Sequence, residues 1–161
     1  MSCVKQIIPS KLSAELFKNN PELYKEALYK IFKRDFIDNN VTHHGKTLDI
    51  IHEKLYENKE RSFWHIISEG AEDTNRTPIS WRAEVLPWIK PLIQEDGSCT
   101  QYKEWRKYND KSKKIRNYIW CTAINFLIIL EDRDTHYKLI SAYPVLECKI
   151  NYYTKEYNKY K

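Results

Sequence analysis

The sequence predicts an α+β fold, with an N-terminal helix and a second helix packed on an antiparallel β-sheet. Three observations lead there. A capped stretch near the start carries apolar residues at helical spacing. A second such stretch lies mid-chain, interrupted by prolines. The last third holds three apolar runs joined by close connections, as an antiparallel meander requires.

In chain order, NNPELYKEALYKIFKRDFI opens with Asn20 as N-cap and Pro21 at the first helical position. Glu22 suits the positive end of the helix dipole, and Lys33 and Arg34 suit the negative end. Leu23, Ala27, Ile31 and Leu28, Ile31, Phe36 recur at helical spacing, so a helix is expected over Pro21 to Phe36. Val41 to His44 and Leu48 to Ile51, around a Gly45 turn, read as two short strands, with a helix over Leu48 to Leu55 as the competing assignment. ENKERS reads as a turn and SFWHIIS as a strand. EGAEDTNRTP is a polar loop. In ISWRAEVLPWIKPLIQ, Trp81, Val85, Trp88, Ile89 and Leu92 share a helical face, and Pro87 should kink or break the helix.

YKEWRKYNDKSKK reads as a short amphipathic piece or a loop. IRNYIWCT, NFLIIL and HYKLISAY follow as strands, and NFLIIL, apolar on both faces, should be central. Beyond Pro144, a short helix with Tyr153, Tyr157 and Tyr160 on one side is expected.

The chain of 161 residues suits one domain. Its apolar runs are too short to span a bilayer, and MSCVKQIIPSKL lacks the apolar core of a secretory signal, so a cytoplasmic protein with no membrane partner is expected. Cys3, Cys99, Cys121 and Cys148 have no metal-ligand spacing and suggest no disulfide framework. Cys121, in an apolar run, reads as a core residue. There is no HExxH motif, P-loop, dinucleotide fingerprint or nucleophile elbow, so neither a metal nor a cofactor is expected. The net charge of +5 alone implies no nucleic acid. The distribution is more suggestive. Lys103, Arg106, Lys107, Lys111, Lys113, Lys114 and Arg116 face only Glu104 and Asp110, and the tail KINYYTKEYNKYK mixes lysine with tyrosine. Cations interleaved with aromatics suit phosphates and bases together, though a solvated loop and a frayed tail fit the same pattern.

Four residues stand out chemically. On a strand, His65 shares a face with Phe63 and Ile67, where it is either a hydrogen-bonded core histidine or a general acid or base at a cleft. Tyr137, Leu139, Ser141 and Tyr143 share another strand face, and the Ser141 hydroxyl and Tyr143 phenol could reach one phosphate oxygen. The alternative is a tyrosine anchoring a sheet edge. Arg82, preceded by Arg76, could hold a phosphate bidentately or pair with Glu84 or Glu72 on the surface.

Taken in order, FWHIIS, RAEVLPWIKPLI, IRNYIWCTAINFLIIL and HYKLISAYP resemble the phage-type nucleases of the barnase, EndoU, colicin-tRNase and RelE superfamily (the BECR fold) over about Val41 to Val145. The family pattern is an aromatic-Trp-His strand, an Arg-x-Glu element with a Trp after it, and a hydrophobic hairpin ending in Thr-Ala-Tyr-Pro. His65, Arg82 and Trp88 match the family histidine, arginine and helix tryptophan. Ser141 and Tyr143 match the last-strand threonine and tyrosine, with serine keeping the hydroxyl. The resemblance divides the single domain into an N-terminal helical segment (1–40), a nuclease-like core (41–145) and a basic Tyr/Lys tail (146–161).

It implies a toxin-like, metal-independent endoribonuclease of phage or mobile-element origin that leaves a 2′,3′-cyclic phosphate. His65, Arg82, Ser141 and Tyr143 would be catalytic, with His43 or His44 in reserve for a second proton. Arg76, Lys111, Lys113, Lys114 and Arg116 would hold RNA, tRNA or another structured RNA included, and an inhibitor or antitoxin protein is a further expected partner. Two rivals share these residues. One is a non-catalytic module binding RNA or a host protein. The other is a structural phage or mobile-element protein whose Trp and Tyr surface is an interface.

Overall fold

A computed structural model of the chain describes residues 8–69, 78–94 and 101–161. The elements are α1 (Pro21–Phe36), β1 (Thr42–His43), β2 (Lys46–Asp49), α2 (Arg61–Ile67), α3 (Ser80–Ala83), α4 (Ile89–Gln94), β3 (Tyr102–Asn109), β4 (Lys114–Cys121), β5 (Phe126–Asp132), β6 (His136–Pro144) and α5 (Ile150–Tyr160). The strands form one curled sheet in the order β1-β2-β6-β5-β4-β3. All neighbours are antiparallel except β2 and β6. The predicted α+β architecture is therefore present, with helices packed on the sheet. No helix among the described residues is long and apolar enough to cross a membrane.

Helix α1 begins as its sequence dictates. Asn20 Oδ1 accepts from the Leu23 amide at 3.2 Å, and Pro21 occupies the first turn. Its buried stripe is Tyr24, Leu28, Phe32 and Phe36, one turn apart each time. Leu28 and Phe36 are buried as expected, whereas Leu23, read onto the same face, is exposed. The stripe meets α2 through aromatic rings. Phe63 lies edge-on to Phe32 at 5.5 Å and to Tyr29 at 5.1 Å.

FWHIIS is a helix rather than the expected strand. Ser62, Phe63, Trp64, Ile66 and Ile67 are all buried. An apolar run this short, enclosed on almost every side, gives no period that separates strand from helix. The surroundings decide. The Arg61 amide donates to the Glu53 carbonyl at 2.7 Å, and Ser62 Oγ accepts from the Ile51 amide at 2.6 Å. Those bonds leave the segment outside the sheet and start it as a turn of helix.

The proline-interrupted helix breaks where expected. α3 ends at Ala83, a 3₁₀ turn covers Leu86–Trp88, and α4 continues from Ile89. The stretch read as a loop or amphipathic piece is strand β3, paired with β4 from Tyr102 to Asn109. Only Trp105 of this edge strand is buried, and its lysines and arginine blunt the edge against further pairing. The meander β4–β5–β6 is as read, with β5 central.

Two cores flank the sheet. Ile119, Cys121, Phe126, Ile128 and Leu130 face α1 to α4. Trp105, Trp120, Leu127 and Ile129 face the other way, under Tyr153, Tyr157 and Tyr160 of α5. Strand β6 serves both cores because of a bulge. Ile129 pairs with Ser141 while Leu130 pairs with Leu139, so Ile140 is the extra residue. Tyr137, Leu139 and Ala142 join the first core, and Ile140 and Tyr143 pack against the second. The expectation that Tyr137, Leu139, Ser141 and Tyr143 share one face is thus overturned, because the bulge reverses the alternation.

Buried carboxylates set the acid response. Glu60 and Glu131 are 3% and 2% exposed. Burial alone would raise both. Lys54 and Tyr29 at Glu60, and Arg133 and Arg116 at Glu131, outweigh it and hold both below the usual carboxylate range. The native state then binds fewer protons than the unfolded chain, so this stability is present above the unfolded value and lost as pH falls through the native one. The melting temperature should drop steadily below about pH 4.5, and Glu131→Gln should flatten that slope. A midpoint unchanged from about pH 5 to about pH 3 would contradict it.

Candidate active site

β2 pairs with β6 only over His136, Tyr137 and Lys138. Helices α2 and α3 also pack against β6. The Ile79 amide donates to the Ile67 carbonyl at 2.8 Å, tying the start of α3 to the end of α2. Arg82, on α3, is thereby directed at the edge of β6. One of its terminal nitrogens donates to the His65 carbonyl at 3.1 Å and to Ser141 Oγ at 3.3 Å. Its guanidinium carbon lies 5.2 Å from the centre of the Tyr143 ring. The Tyr143 hydroxyl is 2.6 Å from that of Tyr153 on α5. Burial and the Tyr143 hydroxyl push the Tyr153 phenol far above its ordinary value, so it stays protonated.

Arg82 and Tyr143 line one cleft of about 200 Å³, together with Trp81, Tyr153, Lys149 and Glu69. Arg82 is therefore buried at a cleft wall rather than on the surface, and Glu72, one of the two partners offered for it, lies outside the described residues. Arg82 thus meets both Ser141 and Tyr143, but neither Ser141 nor His65 is among the residues that line the cleft. His65 gives this group its backbone carbonyl, from the last turn of α2. A larger cavity, about 570 Å³, lies between the start of α1 and the Tyr56 and Trp64 rings. Its cation, Lys25, is held by Glu22 and Glu57, so it offers little positive charge to a phosphate.

No family model, curated protein or solved structure matches the chain.

His43 and His44 lie elsewhere. His43 is 4% exposed, with Nδ1 2.8 Å from the Ile93 carbonyl and Nε2 2.7 Å from Glu104 Oε1. His44 Nε2 is 2.8 Å from Glu104 Oε2. Burial would raise the Glu104 carboxyl, but the two histidines outweigh it and hold it low. β1 and β3 are opposite edges of the sheet, so this cluster marks where the curl brings the edges together. Sequence reasoning missed Glu104 entirely, because it is some sixty positions from the histidines. It also missed Trp81, Lys149 and Tyr153 as cleft residues, although the tyrosine face of the tail helix was visible.

The basic run does not form one track. Arg106 pairs with Asp132, Lys107 with Glu156 and Arg116 with Glu131. Lys103 sits over the Trp120 and Tyr157 rings. Lys111, Lys113 and Lys114 are exposed at the β3–β4 turn. Arg76 lies outside the described residues. The row through Tyr143 crosses Leu127, Trp120 and Lys103, and Lys114 lies roughly 20 Å along the strand from Trp120. The lysine turn is thus at the far end of the sheet from the cleft. Replacing Lys111, Lys113 and Lys114 together by alanine should weaken RNA binding and reduce its salt slope by up to about 3, leaving single-turnover cleavage of saturating RNA intact. Unchanged binding across salt concentrations would make the turn merely solvated.

Proposed function

We propose that the chain is a toxin-like, metal-independent endoribonuclease of phage or mobile-element type, akin to the barnase, EndoU, colicin and RelE group. The observation that carries this reading is the convergence on Arg82 of the Ser141 hydroxyl, the Tyr143 ring and the end of α2 that bears His65. In the reaction, the RNA 2′-oxygen attacks the adjacent phosphorus and the bond to the 5′-oxygen breaks. A base takes the 2′-hydroxyl proton and an acid protonates the departing 5′-oxygen. Arg82 supplies fixed positive charge to the phosphorane-like transition state, where a donor is worth most. Ser141 and Tyr143 supply hydroxyls. Tyr153, held neutral, keeps the Tyr143 oxygen positioned by a hydrogen bond. His65 carries a proton as acid or base, since imidazole titrates near neutrality.

One incubation series tests this. Cleavage of total RNA and tRNA should persist in EDTA and spare DNA, which lacks the attacking hydroxyl. His65→Gln should remain folded and bind RNA with cleavage gone, and the wild-type rate should show a pH limb near neutrality that the variant lacks. Cleavage of DNA at the same rate, or a His65→Gln protein as active as wild type, would end this reading. A second reading is an RNA-binding module without catalysis. The small cleft and the internal bonds already made by Arg82 favour it. RNA bound in the cleft but never cut would establish it.

A further inference from the structure

We propose that His43, His44 and Glu104 form a binding site for a divalent cation of the zinc type, with one coordination position open to solvent. The inference is independent of the nuclease reading. The hydrogen bonds of His43 point to the site. A carbonyl can only accept, so the ring nitrogen 2.8 Å from the Ile93 oxygen carries the hydrogen. Nε2 of the neutral ring is then a lone pair. It points at a carboxylate oxygen 2.7 Å away, which is also only an acceptor. Two acceptors at that distance in a buried place cannot face each other bare, so either a proton on one of them or a cation bound by both must join them.

The rest of the site has the form such a cation takes. Both histidines present Nε2 to the same carboxylate, one to each oxygen, and the ligand atoms lie within 4.8 Å of one another. Around tetrahedral zinc, ligand atoms stand about 3.3 Å apart, so the carboxylate need retreat only slightly from the imidazoles. His43 is already oriented by a backbone carbonyl on its far nitrogen, the usual outer partner of a metal-bound histidine. Nitrogen and carboxylate donors without thiolate suit zinc among biological cations, and calcium or magnesium would want more oxygen. His43 is buried, whereas the His44 side chain is 40% exposed, so the fourth position faces water. Three protein ligands and an open position is the arrangement of reactive rather than purely structural zinc. The cluster draws on β1, the end of α4 and β3, and the Arg82 cluster draws on α2, α3 and β6.

The test uses the full chain, freed of metal by EDTA and then dialysed. Titration with Zn²⁺ alone should show one saturable equivalent and a rise in melting temperature. Co²⁺ should give visible d–d bands without a thiolate charge-transfer band. His44→Gln and Glu104→Gln should each weaken Zn²⁺ binding at least about 100-fold and abolish the thermal shift. His44 is exposed, so its variant stays informative even if a change at buried His43 unfolds the chain. No saturable uptake, or uptake that survives His44→Gln, would overturn the proposal and leave the three side chains a hydrogen-bonded cluster. Zinc binding with RNA cleavage that survives EDTA supports both readings. Zinc binding with cleavage lost in EDTA keeps this site and defeats metal independence. Cleavage without zinc binding does the reverse.

Discussion

Arg82→Ala should lower RNA cleavage by about 10²–10³-fold, an effect near 3 kcal/mol on the transition state, while weakening RNA binding much less. The asymmetry follows from the place of the guanidinium. It is fixed before any ligand arrives, by the His65 carbonyl and Ser141 Oγ, with the Tyr143 ring beside it. A charge held that way needs no reorganisation as negative charge grows on the phosphate. Arg82→Lys keeps the charge and loses the planar fork, so it should recover little of the rate. Both variants also give up charged hydrogen bonds within the fold, at roughly 1.5–3 kcal/mol each. Rates are therefore to be compared well below each melting temperature and per folded molecule. A turnover within about tenfold of wild type for Arg82→Ala would remove Arg82 from the chemistry.

Phe63→Ala should cost about 3–5 kcal/mol of folding stability, a large share of what a domain of this size possesses. Phe63 is fully buried and touches Tyr29, Phe32 and Trp64. Its removal opens a hole where α1 meets α2, and three aromatic neighbours cannot collapse into it without leaving their own rotamers. Phe63→Leu refills most of the volume and should cost roughly half as much. Urea unfolding at neutral pH reads both. A loss below about 1 kcal/mol for Phe63→Ala would mean that the aromatic seam between α1 and α2 does not hold the fold together.

Some of this architecture was plain in the residues, and what stayed hidden has physical causes. α1 announced itself through Asn20, Pro21 and a long periodic stretch. The meander did so through NFLIIL, which only a central strand can bury on both faces. Pro87 marked its break. FWHIIS misled because enclosure on all sides erases the period by which helix and strand are told apart. β3 was missed for the opposite reason, since an edge strand with one buried side chain carries hardly any apolar pattern. At the site, Arg82, Ser141 and Tyr143 were legible as types and in order, but the reason they meet was not. A bulge leaves no mark in a run such as KLISAY. Glu104 had no signal at all, because its link to His43 and His44 is made by the curl of the whole sheet.

The bulge at Ile140 also fixes what length changes this strand can bear. Upstream of it, odd-numbered positions look toward α1 to α4, and downstream the even-numbered Ala142 does. Ile140 is thus a phase shifter. Flattening the bulge with Ile140 retained would restore an unbroken parity and swing Tyr143 to the opposite layer, beside Phe126 and away from Tyr153, whereas deleting Ile140 would leave Tyr143 facing Leu127 as before. A one-residue deletion at Ile140 therefore preserves both layers of the sheet, and an indel in the β3–β4 turn would merely lengthen or shorten an exposed tip.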